Sequence, residues 1–288
     1  MRVLALEPFY GGSHRAFLDD WQRCSRHVWT VLGLPARKWK WRMRHAAVTL
    51  ADDVGRRVEA GEAWDVVFCS DMLSLAEFVG LVPESVRRLP RVAYFHENQF
   101  TYPFRYSGER DLHFGYVNMT TALAADEVWF NSAFHRDSFL EGLGAALRRM
   151  PDYRLPEVTV RILAKARVEP PGVRAVPERD GPRAAGPMRI LWAARWEHDK
   201  DPETFFAALR LLCEGGVGFR LSVLGEQYAD APSVFVQARQ EFGDCIERWG
   251  YQASRGDYEE ALRVADVFVS TARHEFFGIS AVEAIAAG

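Results

Sequence analysis

The sequence predicts an α/β fold made of two doubly wound domains, each built on a parallel sheet. Three observations carry this. Short apolar runs, bounded by glycine, proline or polar residues, alternate with helical segments along the whole chain. The length of 288 residues suits two cores of ordinary size. A stretch rich in Pro, Gly and Arg over residues 150–187 interrupts the alternation, and within it E-P-P-G-V (169–173) reads as a hinge. The expected domains are residues 1–172 and 173–288.

Composition narrows the function classes. Apolar residues make up 48% and charged residues 26%, the globular range. A net charge of −3 gives the whole chain no pull towards nucleic acid, but the charge is uneven. Residues 1–60 hold 11 Lys/Arg against 6 Asp/Glu, and residues 181–288 hold 11 against 16. Four scattered cysteines (Cys24, Cys69, Cys213, Cys245) form no C-x-x-C and read as small core residues in a reducing compartment. The chain opens directly on a strand pattern, and no apolar run reaches transmembrane length. A soluble, cytoplasmic protein with no membrane partner is expected.

In the first domain, Arg2–Glu7 (RVLALE) reads as a buried strand. Gly11-Gly12 then turns the chain into a helix from His14 to Cys24, with Ser13 as N-cap. Two glycines let a backbone approach a phosphate or sugar closely, or simply allow positive φ. Val28–Leu34 reads as the second strand. Residues 35–45 follow as P-A-R-K-W-K-W-R-M-R-H. There Arg37, Lys38, Lys40, Arg42 and Arg44 interleave with Trp39 and Trp41. Cations answer phosphates and indoles stack on bases, so this is a candidate RNA contact; a solvated loop whose tryptophans pack on the body is the alternative. Asp65–Ser70, Arg91–Phe95 and Glu127–Phe130 read as further strands, and Ser132 as the N-cap of a helix. After the strand at 91–95 comes H-E-N-Q-F-T-Y-P (96–103). A dense polar cluster at that point is where a parallel sheet presents chemistry. His96 suits a sugar hydroxyl, and Glu97 and Asn98 suit acceptor hydroxyls.

In the second domain, Arg189–Ala194 reads as a strand running into R-W-E-H-D-K-D-P (195–202), then a helix from Glu203 to Cys213. Arg195 and Lys200 on that loop can clamp a diphosphate and stabilise a departing anion. Phe219–Gly225, Cys245–Trp249 and Asp266–Ser270 read as strands, and Asp257–Val264 as a helix. The chain closes on R-H-E-F-F-G-I-S-A-V-E-A-I-A-A-G (273–288). Glu275 lies on a loop, where a carboxylate reaches sugar hydroxyls. Backbone N–H groups of Phe277, Gly278 and Ile279 stand at the start of the next helix, where an anion is favoured. Glu283, two turns on, suits the two hydroxyls of a ribose.

Arg195-x4-Lys200 and Glu275-x7-Glu283, with F-G inside, resemble the signature of retaining family 4 glycosyltransferases of the GT-B fold. E-x-F-Y-G-G-S-H (7–14), P-A-R-K-W-x-W-R-x-R (35–44) and Y-F-H-E-N-Q-x-x-Y-P (94–103) resemble, more narrowly, the tRNA-queuosine α-mannosyltransferase family. That resemblance implies two Rossmann-like domains facing a cleft. It implies retaining transfer of mannose from GDP-mannose to queuosine in tRNA. It assigns His96, Glu275, Arg195 and Lys200 to catalysis. Gly11, Gly12, Arg195, Lys200, Glu275, Phe276, Phe277, Gly278 and Glu283 go to the nucleotide-sugar donor. Ser13, His14, Glu97, Asn98 and Tyr102 go to the acceptor, and Arg37–Arg42 with Arg44 to tRNA. Cations replace a metal at the diphosphate, so no metal or other cofactor is expected. E-F-F-G departs from the family 4 E-G-F-G, and a family member continues past Gly288, so the second domain is expected to be truncated. Two rivals stand beside this reading. One is a family 4 enzyme with another nucleotide sugar and a small-molecule, lipid or glycan acceptor. The other is a non-catalytic RNA- or nucleotide-binding module.

Overall fold

The computed structural model describes residues 1–104, 111–176, 179, 181, 183, 185–227 and 231–288. The chain divides into two compact units, Met1–Gly172 and Val173–Gly288.

In the first unit, β1 (Arg2–Tyr10) is the buried strand that the apolar run predicts, and it extends three residues further. Its ladder with the next strand shifts register between Glu7 and Tyr10, around Pro8, which has no N–H to offer. Helix α1 (Gly12–Cys24) starts earlier than expected: Gly11 is its N-cap, and Ser13 lies exposed inside the first turn. Gly12 takes a left-handed φ of +52°, and a Cβ on Gly11 would stand 2.4 Å from Ala36 Cβ, so each glycine has its own reason.

After β2 (Val28–Pro35) the basic stretch is not a loop. From Trp39 it forms the first turns of α2 (Trp39–Glu59). Met43, Ala46, Ala47, Leu50, Ala51 and Val54 are buried at helical spacing; from Ala46 on this stripe joins the core against the sheet, while Met43 packs with Met72, Phe114 and Val117. The unit continues with β3 (Val66–Ser70), α3 (Leu75–Leu81), α4 (Glu84–Arg87), β4 (Arg91–Phe95), α5 (Leu112–Ala124) and β5 (Glu127–Phe130). It ends with α6 (Ala133–Arg148), α7 (Glu157–Leu163) and β6 (Ala166–Val168). Ser132 caps α6 as expected, accepting from the His135 N–H.

The six strands lie in the order β2-β1-β3-β4-β5-β6, and every pair is parallel. One face carries a large aliphatic core under α2, α3, α5 and α6. The other packs Phe17, Leu18 and Trp21 of α1 against Trp29, Phe68, Tyr94 and Trp129. The chain passes from β1 to β2 on one side and returns to β3 on the other. The switch point of the sheet therefore lies between β1 and β3, where an open α/β sheet places its ligand.

The second unit has β7 (Met188–Ala193), α8 (Pro202–Glu214), β8 (Phe219–Leu224), α9 (Val234–Glu241), β9 (Ile246–Gly250), α10 (Arg255–Val264), β10 (Val267–Phe268) and α11 (Ile279–Ala286). Its four strands lie in the order β10-β7-β8-β9, again all parallel. The switch point lies between β7 and β10. The last strand is only two residues long, shorter than the expected Asp266–Ser270. Gly225 has a φ of +149°, and a Cβ there would meet the Ala194 carbonyl at 1.8 Å, so no other residue fits beside the end of β7.

All four cysteines are free, but Cys24 and Cys213 are exposed rather than core residues, each in the last turn of an amphipathic helix. Among the described residues, no helix is long and apolar enough to cross a membrane.

Candidate functional site

Strand order decides the site in the second unit. Because β7 and β10 are parallel neighbours, the loops that follow them leave the same edge of the sheet. The loop after β7 forms a 3-10 turn at His198–Lys200 and passes into α8 through Asp201, a left-handed N-cap that accepts from the Thr204 N–H. The loop after β10 is clamped onto this turn. Thr271 Oγ1 donates to the Lys200 carbonyl at 2.8 Å, and the Arg273 N–H to the Asp199 carbonyl at 2.9 Å. The Arg273 guanidinium meets Asp201 at 2.8 Å and holds that carboxyl below its usual range, chiefly through this hydrogen bond.

These clamps bring Lys200 and Glu275 together. The Lys200 ammonium lies 2.9 Å from Glu275 Oε1, 2.8 Å from Asp199 Oδ2 and 3.2 Å from the His274 carbonyl. Lys200 is only 6% exposed, while Glu275 stays partly open. A buried cation between two carboxylates has its charge compensated until an anionic ligand arrives. The His274 imidazole is pushed below its ordinary pKa by burial and then by Lys200. Arg195, exposed on the same loop, pairs with Glu197 at 3.3 Å.

Gly278 is the N-cap of α11, left-handed at φ +78°, and no side chain caps that end. The half-buried Phe277 and the buried Phe276 flank it. Glu283 is buried on α11, held by Arg255 and Tyr258 rather than by Arg195 or Lys200. Asp199-Lys200-Asp201 spells an Asp-x-Asp triplet, the spacing of some metal sites. Here Asp199 answers Lys200, and Asp201 caps a helix and pairs with Arg273.

The first unit gathers a second group at its own switch point. Glu7, near the end of β1, is buried. Its Oε1 accepts from Ser70 Oγ at 2.9 Å and from the Phe9 N–H at 2.8 Å. Its Oε2 lies 3.2 Å from His14 Nδ1. The His14 ring faces that of His96 at 4.1 Å, and Phe17 and Tyr94 box the His96 ring edge-on. The His96 N–H donates to Asp71 Oδ1 at 2.8 Å, and its carbonyl accepts from Asn131 Nδ2 at 2.9 Å.

These contacts set protonation. Burial works against a charge on His14, but Glu7 outweighs it and the pKa rises to about 9. Burial, then the charge on His14, push His96 well below its usual value, with His135 adding in the same direction. Asp71, fully buried, is pushed up to about 8 by burial and then by Glu97, against the pull of His14. One imidazole of this close pair is therefore charged and the other neutral at pH 7. Glu7, His14 and His96 offer ligand atoms within 4.8 Å of one another. Within that group His14 and Glu7 already pair with each other.

The expected acceptor residues fare differently. Glu97 is half-buried and accepts from Gln99 Nε2 at 3.0 Å, and Tyr102 is half-buried against Phe104. Asn98 departs from the expectation. It is fully buried, its Oδ1 accepts from the Phe100 and Thr101 N–H groups, and its Nδ2 donates to Thr101 Oγ1, so it builds the turn.

In the basic stretch, Arg37, Lys38, Lys40, Trp41 and Arg44 are exposed, Trp41 by 59%. Lys38 is a left-handed N-cap of α2, whose first turn holds no acid. Cations at the positive end of a helix repel it and favour an external anion. Trp39 is half-buried against Phe114. Arg42 departs from the expectation: it is buried, donates to the Pro35 carbonyl at 2.9 Å and faces His45 Nε2 at 2.8 Å.

Residues 2–173 match the family described as tRNA-queuosine alpha-mannosyltransferase N-terminal. A tRNA-queuosine alpha-mannosyltransferase from Drosophila melanogaster is 35% identical over 297 aligned positions, taking in 99% of this chain and 77% of that protein. The chain belongs to the tRNA-queuosine alpha-mannosyltransferase family. Residues 144–288 also match Family 4 Glycosyltransferase in conflict systems, so the second unit keeps the broader signature. Among solved structures, HepE from Anabaena in complex with UDP gives a TM-score of 0.66 at 15% identity, over 100% of this chain and 79% of that one. An alpha,alpha-trehalose-phosphate synthase (UDP-forming) from Burkholderia vietnamiensis gives 0.60 at 11%, over 100% and 82%. At such identities the likeness establishes the fold, GT-B, in which both units are doubly wound.

Glu7, Asp71, Arg255 and Tyr258 are among the polar groups of these sites to which the sequence assigned no role. Glu7 and Asp71 had a signal. Glu7 lies near the end of an otherwise apolar strand and Asp71 just past one, where a buried acid needs either a partner or its proton.

Proposed function

We propose that the protein transfers mannose from GDP-mannose to the cyclopentenediol of queuosine in a tRNA anticodon, with retention of configuration, in the cytoplasm. The observation that carries the chemistry is the Lys200–Glu275 pair at the switch point of the second sheet. In this reading Arg195 and Lys200 hold the diphosphate, and Lys200 exchanges a carboxylate for a phosphate oxygen when the donor arrives. Glu275 then takes sugar hydroxyls beside the backbone N–H groups of Phe276 to Gly278. Glu283 takes the ribose. His96, kept neutral, hydrogen-bonds the sugar, and Ser13, His14, Glu97 and Tyr102 lie on the acceptor side. The acceptor oxygen bonds to the anomeric carbon as its bond to the phosphate oxygen breaks. The acceptor proton passes to that phosphate oxygen, and GDP leaves. Cations stabilise the developing charge, so no metal is required.

The test is incubation with queuosine-containing tRNA and a panel of nucleotide sugars, followed by nucleoside mass spectrometry. A hexose on queuosine with GDP-mannose alone, lost in Glu275→Ala, is the expected result. A hexose from another nucleotide sugar, or none on queuosine, overturns the assignment.

For tRNA, the start of α2 supplies the phosphate contacts. Arg37→Ala and Lys40→Ala should each weaken tRNA binding and lower the slope of log affinity against log salt by about 1. Arg42→Ala should instead lower the melting temperature and leave that slope alone. Filter binding across a salt series separates the two.

A further inference from the structure

Glu283 is 7% exposed, and two donors hold its carboxylate. Its Oε1 accepts from Arg255 Nη2 at 2.8 Å, and its Oε2 accepts from the Tyr258 hydroxyl at 2.8 Å. Both donors come from one face of α10, where residues three apart stand above one another. They are fixed in turn. Arg255 Nε donates to Glu259 Oε1 at 2.7 Å, and the Arg255 guanidinium covers the Tyr258 ring at 5.1 Å. Burial, then Glu283, raise the Tyr258 pKa, so the phenol stays a donor. A carboxylate offers roughly four lone-pair sites. Among the described residues one donor reaches each oxygen, which leaves one free site on each. Two free sites on one carboxylate match the two adjacent O–H donors of a cis-diol.

We propose that Arg255 and Tyr258 are positioning residues for the nucleoside end of the donor site. They orient Glu283 so that its two remaining lone pairs take both hydroxyls of a ribose, and they thereby select ribonucleotides over deoxyribonucleotides. This rests on the reading of Glu283 as the ribose ligand. The selection is geometric. A rotated Glu283 still reaches one hydroxyl but no longer two, so the ribonucleotide loses more than its deoxy analogue.

The probes are GDP and 2′-deoxy-GDP, titrated calorimetrically into the full chain. The wild type should prefer GDP by roughly 10-fold or more, the worth of one hydrogen bond to a charged group. In Tyr258→Phe, which keeps the ring, and in Arg255→Gln, that preference should shrink several-fold, with 2′-deoxy-GDP affinity little changed. A purely structural role for α10 would weaken both ligands equally and keep their ratio, and that result overturns the proposal. Glu283→Gln separates the layers. If it abolishes the preference while the α10 variants keep it, only the positioning role fails. If it too keeps the preference, or if the wild type binds neither nucleotide, the reading of Glu283 fails and the inference with it.

Discussion

Lys200→Ala is expected to lower kcat/KM for mannosyl transfer by about 10²- to 10³-fold, with tRNA affinity unchanged. The ammonium is the most enclosed cation of the candidate donor site, set 2.8 Å from Asp199 and 2.9 Å from Glu275. In a site from which water is largely excluded, one fixed charge aimed at a leaving diphosphate is worth several kcal/mol, far more than in water. Its removal also leaves two carboxylates facing the same gap, which repels the donor. Lys200→Arg should recover only part of the activity. A planar fork does not fit between two carboxylates shaped around a compact ammonium. Single-turnover kinetics, read beside a melting curve, checks this. A variant that melts earlier but keeps kcat/KM per folded molecule would assign Lys200 to stability alone.

Glu7→Gln is expected to destabilise the protein at pH 6 by on the order of 3 kcal/mol and hardly at all at pH 9.5. Glu7 raises the pKa of the buried His14 from an ordinary 6.5 to about 9. A histidine raised in the folded state contributes stability that is whole below its unfolded pKa. That contribution is lost as pH climbs through the folded value, here between 6.5 and about 9. Glutamine keeps the oxygen that accepts from Ser70 and Phe9 but not the charge, so the loss isolates the ion pair. Asp71 acts in the opposite sense. Its raised pKa opposes folding increasingly as pH rises towards about 8; the Glu7 charge adds to that rise and the His14 charge counters it. Chemical denaturation at the two pH values is the measurement. An equal loss at both would mean that His14 and Glu7 are bound by packing and not by charge.

Both effects arise towards the carboxyl ends of strands, and those strands were legible. RVLALE, DVVFCS, RVAYF and RILWAA are short apolar runs between turn formers, the signature of strands buried on both faces. Helix α2 was less legible because its first turns carry the Lys, Arg and Trp of a loop, although Met43, Ala46, Ala47, Leu50, Ala51 and Val54 spelled a helical stripe behind them. The role of Glu7 was hidden for another reason. A carboxylate in a strand is intelligible only with its partner, and His14 becomes that partner through the turn at Gly11-Gly12.

The chain by itself determined which segments are strands, which polar residues end them, and the family whose motifs they spell. Local spacing suffices for that, because burial on a parallel sheet imposes a short-range pattern. Only the tertiary structure decided that β10 returns to lie beside β7 and β3 beside β1. Neighbours in a parallel sheet are chosen by how crossover helices pack, a long-range outcome that no local pattern records. That choice brings Lys200 to Glu275 and Glu7 to Ser70, and it turns four separate side chains into two sites.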